Sequence, residues 1–281
     1  MPEARPKRSQ LPVRPTGRNP PASAPAHREV VRFVGRLAAK RWGRGDAAVL
    51  LAGSWSRGEA HVASDVDLWV VSRKPPSVRH QMLYREGRLV SVKFSTPAEE
   101  RKELRDPGHF DGAVPGWRSA KIVRDPTGIA ARLQGEARRF RWSLVRSRVR
   151  RYVGDQLAEW AEEVTKLVRA LDTGERETAS VQRNLISNRM AFLRLLPLGR
   201  WWTTENGLWE RAGHQGGAAF RRAQRSALGT DGSGWRESCE AALRLYSLTA
   251  RAHWRYLSRE NRRVVEAACR VAGYPIHRVP S

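Results

Sequence analysis

The sequence of 281 residues has only two cysteines, Cys239 and Cys269, and no long apolar run. The cysteine spacing fits neither a metal-ligand motif nor a disulfide framework. No segment approaches the roughly 18 apolar residues that a membrane-spanning helix needs. No apolar signal-peptide segment follows the N-terminus, so the sequence predicts a cytoplasmic protein without a membrane partner.

Acidic residues are scarce: 28 Asp and Glu stand against 52 Lys and Arg, which gives a formal net charge of +24. An excess of this size is typical of proteins that meet an anionic partner, such as a nucleic acid or a nucleotide. A genome that favours arginine codons, together with a basic tail, accounts for the same composition. Nucleic acid therefore stays a possible partner at this point.

The first 28 residues lack apolar periodicity and contain seven prolines and six Lys or Arg against one acid. Such a segment cannot bury enough apolar surface to offset the entropy of ordering it. We predict a disordered, basic, proline-rich tail over residues 1–28.

The most informative stretch runs from Val49 to Val71, with the sequence VLLAGSWSRGEAHVASDVDLWVV. A buried strand is predicted up to residue 52, followed by a turn at Gly53-Ser54 and a helix start. Glycine there lets the backbone approach a ligand closely, and the turn directs N–H groups toward a phosphate. Arg57 lies three residues beyond Ser54 and is a candidate phosphate contact, with a solvated arginine as the alternative.

Asp65 and Asp67 begin a second apolar run, and residues two apart on a strand point to the same face. Two neighbouring carboxylates repel each other unless a cation lies between them, and hard divalent cations prefer oxygen ligands. Asp65 and Asp67 are therefore candidate metal ligands. The alternative is an Asp-x-Asp that serves only a turn or a helix start.

The Gly-Ser turn and the Asp-x-Asp, at this spacing, resemble the signature of the polymerase-β-type nucleotidyltransferase superfamily, and most closely its kanamycin nucleotidyltransferase group. The resemblance implies an α+β fold, with a nucleotidyltransferase domain built on a small mixed sheet over residues 29–141. An all-α helical bundle domain would follow over residues 142–281, where the sequence also reads as mostly helical. A homodimer is a further implication.

The resemblance also implies an Mg²⁺-dependent enzyme that moves a nucleoside monophosphate from ATP, or another NTP, to a hydroxyl group. The acceptor would be a small molecule, such as an aminoglycoside-like antibiotic. Asp65 and Asp67 would be catalytic metal ligands, and Gly53, Ser54 and Arg57 would bind the nucleotide. Glu159 matches the general base of the group, and its alternative is a solvated acid paired with an arginine.

The segment GRLVSVKFSTPAEE is similar to the third strand and the following helix of the same group. The group has a third metal-binding carboxylate on this strand, where the present chain has Ser91. Lys93 shares the face of Ser91 and is a candidate contact for nucleotide phosphate, with a solvated strand residue as the alternative. The group's triphosphate-binding lysine is replaced by Glu163, so that role does not carry over.

Three other segments have specific predictions. Ser77 to Arg85 is predicted as a short helix, Val114-Pro115-Gly116 as a turn, and Ile129 to Phe140 as the helix that ends the first domain. For function, three alternatives remain open. They are a small-molecule nucleotidyltransferase, a nucleotidyltransferase that acts on RNA or protein, and a non-catalytic nucleotide-binding relative, which Ser91 favours.

Overall fold

The computed structural model describes residues 24–61, 63–199 and 205–276. Within these ranges, the first half of the chain forms five strands: β1 (Ala48–Leu51), β2 (Val66–Val71), β3 (His80–Arg85), β4 (Arg88–Ser95) and β5 (Lys121–Arg124). Its helices are α1 (Ala24–Trp42), α2 (Gly53–Arg57), α3 (Pro97–Glu103), α4 (Phe110–Ser119) and α5 (Ile129–Arg139).

The second half is helical. It contains α6 (Arg146–Glu159), α7 (Ala161–Thr173), α8 (Arg176–Leu195), α9 (Glu205–Ala227), α10 (Trp235–His253) and α11 (Arg259–Val271). Short 3₁₀ turns lie at Trp142–Leu144, Leu196–Leu198 and Trp254–Tyr256. The predicted α+β fold, a small mixed sheet followed by a helical bundle, is confirmed.

The strands form one sheet in the order β3-β4-β2-β1-β5. β2 and β4 are parallel, whereas β3 with β4, β1 with β2, and β1 with β5 are antiparallel. In the parallel pair Asp67 lies opposite Ser91, and Trp69 lies opposite Lys93. Since neighbouring residues on paired strands share a face, all four side chains belong to one face of the sheet.

Two apolar cores lie on the two faces of this sheet. The first core lies on the face away from Asp67 and contains α1, Trp55 and alternate strand residues, among them Val66, Leu68 and Val70. The second core lies on the face of Asp67, where it begins at Leu50 and continues through α4 and α5 into the helical bundle. Apolar packing is therefore continuous from the sheet to the bundle, and the domain boundary after residue 141 stays a prediction.

The prediction of a helix from Ser77 to Arg85 was wrong, because His80–Arg85 is the edge strand β3. β3 and β4 are joined by Glu86 and Gly87, whose φ angles are 49° and 74°. Two consecutive positive φ values are typical of the tight turn that fits the twist of a β-hairpin. The sequence signal was Gly87, directly before the alternating residues of β4.

The predicted turn at Val114-Pro115-Gly116 was also wrong, since these residues lie inside α4. Local signals favoured a turn because proline removes a helical hydrogen bond. Tertiary packing decides otherwise. A Cβ placed on Gly116 would lie 2.6 Å from the ring of Trp69, so only glycine lets α4 approach the sheet this closely.

The helix predicted from Ile129 is confirmed as α5, which ends at Arg139. At the other end of the domain, α1 begins at Ala24, so residues 24–28 are helical and do not belong to the predicted disordered tail. The rest of that tail prediction, residues 1–23, lies outside the described residues. None of the helices described is long and apolar enough to cross a bilayer.

The bundle contains a buried histidine that makes its stability depend on pH. His253 is 3% exposed. Burial lowers its pKa to about 3, the charges of Arg194 and Arg255 act in the same direction, and the Leu193 backbone opposes them. The ring is therefore neutral in the folded protein, while in the unfolded chain it takes up a proton near its ordinary pKa of about 6.5.

We predict that the free energy of unfolding decreases as the pH falls from about 6.5 toward 3, because the unfolded chain binds a proton that the folded protein excludes. At pH 5, His253 lowers the free energy of unfolding by about 2 kcal/mol relative to its value well above pH 6.5. Urea unfolding at pH 7.5 and 5.0 measures it. His253→Leu should flatten this dependence, whereas His214→Gln, at an exposed position, should leave it unchanged. Equal pH dependence in wild type and His253→Leu would contradict the assignment.

Candidate active site

The Gly-Ser turn lies where β1 leaves the sheet. All four residues of β1 are buried, and the chain turns at Gly53 directly into α2. The N–H of Ala52 donates to the carbonyl of Asp67 at 2.9 Å, which ties the turn to β2. Gly53 has a φ of 63°, and a Cβ built on it would lie 1.9 Å from Oδ2 of Asp67. Glycine is therefore required here on two counts, conformation and space.

Asp67 is the second residue of β2, and Asp65 lies directly before the strand, close enough for its charge to act on Asp67. Burial raises the pKa of Asp67 to about 6, and the charge of Asp65 adds to the increase. Arg57, a hydrogen bond from Ser91 and the charge of His80 act in the opposite direction. The ionised carboxylate of Asp67 thus has too little positive charge around it, which is the electrostatic condition of a cation site.

Ser91 lies beside Asp67 in the parallel pair, at the position where the resemblance implied a third carboxylate. Its Oγ is 2.9 Å from Nε2 of His80 and is also hydrogen-bonded to Asp67. A carboxylate accepts and a hydroxyl has one proton to donate. When the Ser91 proton goes to Asp67, Nε2 of His80 must carry the proton of the second bond. The three side chains therefore form a chain across three strands.

His80 is the residue of this site that the sequence did not predict. The helix predicted over residues 77–85 gave it no relation to β4. As part of β3, His80 pairs with Lys93 and shares the face of Ser91. A reading of Glu86-Gly87 as a hairpin turn would have placed it correctly.

Arg57 ends α2, and its side chain is 12% exposed. Its Nε donates to Glu59 at 2.6 Å, and its charge acts on Asp67. Arg57 also borders a cavity of about 420 Å³ whose lining includes His27, Arg28 and Lys121. A phosphate group therefore has basic side chains within reach on this side of the turn.

Ser54 is half-buried at the second position of α2, and its carbonyl accepts from the N–H of Glu59 at 3.0 Å. Its role toward the nucleotide stays a prediction, as do those of Gly53 and Arg57.

Lys93 lies among carboxylates. Its Nζ is 3.0 Å from Glu100 and 2.6 Å from Glu103, and Glu100 is fully buried. Trp117 Nε1 donates to the other oxygen of Glu100 at 2.7 Å. These contacts explain Lys93 as the cation that neutralises a buried acid. The predicted contact between Lys93 and nucleotide phosphate stays a prediction. Such a phosphate would have to bind the ammonium group of Lys93 alongside the carboxylates of Glu100 and Glu103.

Glu159 is the exposed last residue of α6. Its carboxylate accepts a hydrogen bond from Gln156, whose carbonyl oxygen in turn accepts from Arg189. The described structure records no contact that joins Glu159 to Asp65 or Asp67. Its assignment as general base therefore stays a prediction that depends on the resemblance.

The donor set of Asp65 and Asp67 fits Mg²⁺, which proteins usually hold with one or two carboxylates, water and substrate phosphates. The close approach of Gly53 to Oδ2 and the raised pKa of Asp67 mark a place where a cation would relieve repulsion. In the part of the chain that the structure describes, no group of three or more His, Cys, Asp or Glu side chains could hold a metal. Nucleotide oxygens would have to complete the ligand sphere.

Comparison with known proteins agrees with this geometry. Residues 34–125 match the family model described as nucleotidyltransferase domain. No curated protein matches the chain. Among solved structures it is similar to a nucleotidyltransferase-like protein from Exiguobacterium sibiricum 255-15, with a TM-score of 0.52 and 15% identity. That likeness covers 86% of this chain and 80% of the other, and it concerns the fold alone. The comparisons thus support a nucleotidyltransferase domain of the polymerase-β-like fold over residues 34–125, and the closeness of the chain to the kanamycin group stays a prediction.

Proposed function

We propose that the protein transfers a nucleoside monophosphate, AMP from ATP in the first instance, to a hydroxyl group and releases pyrophosphate. One observation carries the proposal: Gly53 lies against the carboxylate of Asp67, beside Asp65, within the span that matches the nucleotidyltransferase domain. This combination joins a carboxylate pair that lacks positive charge to a turn that leaves room for a phosphate-bearing ligand.

In the proposed reaction the acceptor oxygen forms a bond to the α-phosphorus, and the bond from that phosphorus to the bridging oxygen breaks. Pyrophosphate leaves with the electron pair. Ser54 and Arg57 would hold the β- and γ-phosphates, so that the leaving group stays in line with the attacking oxygen. Glu159 would take the proton of the acceptor hydroxyl, as a carboxylate can do near neutral pH.

Asp65 and Asp67 would hold Mg²⁺, which supplies charge neutralisation on the phosphates when bound. The chain itself contributes their placement. β2 fixes Asp67 between Gly53 and Ser91, and Arg57 limits the rise in its pKa. Ser91 and His80 supply hydrogen bonding where a third carboxylate would add another negative charge.

The acceptor is the less constrained part of the proposal. A cationic aminoglycoside-like molecule needs an acidic surface, and the acids of the α6–α7 region, Asp155, Glu159, Glu162 and Glu163, are the candidates. All four of these carboxylates have partners of their own, since Glu159 accepts from Gln156. Lys166 lies 2.8 Å from Glu162 and 2.9 Å from Glu163, and Asn261 donates to Asp155 at 2.9 Å. These contacts weaken the case for a polycationic acceptor.

A second candidate function is nucleotide binding without transfer. Ser91 favours it, because a hydroxyl hydrogen-bonded to His80 does not supply the charge of a carboxylate. The two candidates differ in turnover, which the Ser91 substitution below measures. The homodimer implied by the resemblance belongs to the same proposal, and the molar mass in solution tests it.

We predict that Gly53→Ala abolishes binding of ATP with Mg²⁺, because the new Cβ would displace the carboxylate of Asp67. Gly58→Ala is the matched control. Its φ of 75° imposes a similar backbone strain, with nothing within 4 Å of the new Cβ. The strain costs about 1–2 kcal/mol in each variant, and Gly53→Ala should lose more. Calorimetric titration and thermal unfolding measure both effects. Equal losses in both variants would contradict the role given to the Gly53–Asp67 contact.

We predict that Asp67→Asn stabilises the nucleotide-free protein at pH 7 and at the same time removes stabilisation by ATP with Mg²⁺. The pKa of Asp67 is raised by folding, so its charged form favours the unfolded chain above about pH 4. Thermal unfolding with and without the ligand pair measures both effects. Asp172→Asn, at an exposed site on α7, controls for the lost charge. Unchanged ligand stabilisation in Asp67→Asn would remove this carboxylate from the nucleotide site.

We predict that Ser91→Asp lowers the stability of the nucleotide-free protein and increases the Mg²⁺ dependence of both ATP binding and pyrophosphate release. The new carboxylate would stand beside Asp67 in register, where it adds repulsion without a cation and a ligand with one. Ser91→Asn, of the same size without the charge, is the control. Should both variants respond to Mg²⁺ as the wild type does, Asp65 and Asp67 do not form the metal site. Turnover that appears only in Ser91→Asp would support the non-catalytic candidate for the natural chain.

A further inference from the structure

The segment from Arg138 to Arg151, with the sequence RRFRWSLVRSRVRR, has no acidic residue. It covers the last turn of α5, the 3₁₀ turn Trp142–Leu144 and the first turns of α6. We call its seven arginines the arginine ridge: Arg138, Arg139, Arg141, Arg146, Arg148, Arg150 and Arg151.

The charges of the arginine ridge are open to a partner. Six of its side chains are exposed, and Arg150 is half-buried over the ring of Tyr256. Arg138 donates to the side-chain carbonyl of Gln134, which leaves its charge uncompensated. Within the described part of the chain, no ion pair joins any of the seven to a carboxylate, although arginines elsewhere, such as Arg101 with Glu136, form such pairs.

The positions of the ridge arginines on α6 are unfavourable for the isolated protein. Arg146 and Arg148 lie in the first turn of α6, which has no acid, and cations at a helix N-terminus oppose the helix dipole. Arg146 and Arg150 are four residues apart on the same helix, a spacing at which like charges repel. A polyanion would relieve both effects, whereas a general bias toward arginine codons does not explain why acids are missing from this segment.

The backbone under the arginine ridge is firmly packed. Val145 and Val149 are buried, and the guanidinium of Arg118 donates to the carbonyls of Ala137 and Phe140. The ring of Trp142 lies against Gly199, where a Cβ would come within 2.7 Å. The guanidinium groups therefore lie on a fixed segment, so that binding of a partner would carry no entropy cost for ordering this backbone.

α4 connects the arginine ridge to the candidate active site. Its first residue, Phe110, packs against Trp142 with ring centroids 6.0 Å apart. Gly116, near its other end, lies against Trp69, which shares the sheet face of Asp67. Arg118, at the same end of α4 as Gly116, also donates to the carbonyl of Phe140 within the ridge segment. A chain-like anion bound along the arginine ridge could therefore extend toward Asp65 and Asp67.

We propose that the arginine ridge binds the phosphate backbone of a polynucleotide, whose terminal hydroxyl is the acceptor in the transfer proposed above. The second half of this statement rests on the proposed function, and the first half does not. Several adjacent guanidinium groups suit a row of phosphates, since each can form paired hydrogen bonds to one phosphate.

An anionic membrane is the weaker partner for this surface. Helices that lie in a membrane interface present a broad apolar face. Here the valines of α6 are buried in the core. Among the described residues of this segment, Leu144, at 77% exposure, is the one large apolar side chain that is exposed to solvent. The surface therefore offers charge, with little apolar area to insert.

The test is fluorescence anisotropy of the full chain with labelled 20-nucleotide RNA and DNA, single- and double-stranded, in EDTA and without NTP. One variant changes four ridge residues to glutamine: Arg139, Arg141, Arg146 and Arg148. The control changes four exposed arginines of the bundle: Arg221, Arg222, Arg259 and Arg263. Both variants have the same net charge, so any difference between them reports position alone. Circular dichroism and thermal unfolding verify that each is folded.

We expect the ridge variant to bind at least tenfold more weakly in 0.15 M salt, and the slope of log K against log salt to fall by about 3, because four phosphate contacts are lost. The control should change affinity less than threefold. Equal weakening of both variants would overturn the proposal, as would absence of polynucleotide binding, or binding of phosphatidylserine vesicles in its place. Retained polynucleotide binding in a chain that never releases pyrophosphate would overturn the proposed function and leave the binding surface in place.

Discussion

The repulsion between Asp65 and Asp67 is the constraint on which the candidate site depends. Two carboxylates are brought together at the start of a buried strand, and burial makes the charge of one of them costly. Arg57 of α2 and the hydroxyl of Ser91 each stabilise the charged form of Asp67, and Gly53 leaves space beside its Oδ2 atom. Each response is partial, since the pKa of Asp67 stays raised to about 6 in their presence.

The sheet supplies the precision that this arrangement needs. β2 lies between β1 and β4, so its backbone is fixed on both sides, and the turn at Gly53 is tied to it by the bond from Ala52 to Asp67. Next to the site, the ring of Trp69 packs against Gly116 of α4, and its centroid lies 5.3 Å from that of the Trp117 ring. Glu100, which Trp117 and Lys93 bind, holds α3 to the same face. The buried acid is thus structural, whereas Asp67 has no comparable partner.

The part of the site that the sequence predicted is the part set by short-range periodicity. The two-residue spacing predicted that Asp65 and Asp67 lie near each other, although Asp65 precedes β2. Alternation along β4 put Ser91 and Lys93 on one face. What it missed depends on pairing between distant residues. His80 was not predicted because β3 is an exposed edge strand without a strong apolar pattern. The contacts of Lys93 with Glu100 and Glu103 were not predicted because both acids lie on a later helix. Val114-Pro115-Gly116 failed for the same reason, since contact with Trp69 overrides the local preference of proline.

Ser91 and His80 change the electrostatic balance of the site relative to three carboxylates. A third anion beside Asp67 would raise its pKa further and make the nucleotide-free protein less stable. The hydroxyl lowers that pKa through a hydrogen bond, and the charge of His80 acts in the same direction. In the proposed function, the chain therefore exchanges affinity for a metal ion against stability in the absence of the ion. With two carboxylates, more of the cation's ligands must come from the nucleotide, so metal and nucleotide should bind this site together and not one before the other.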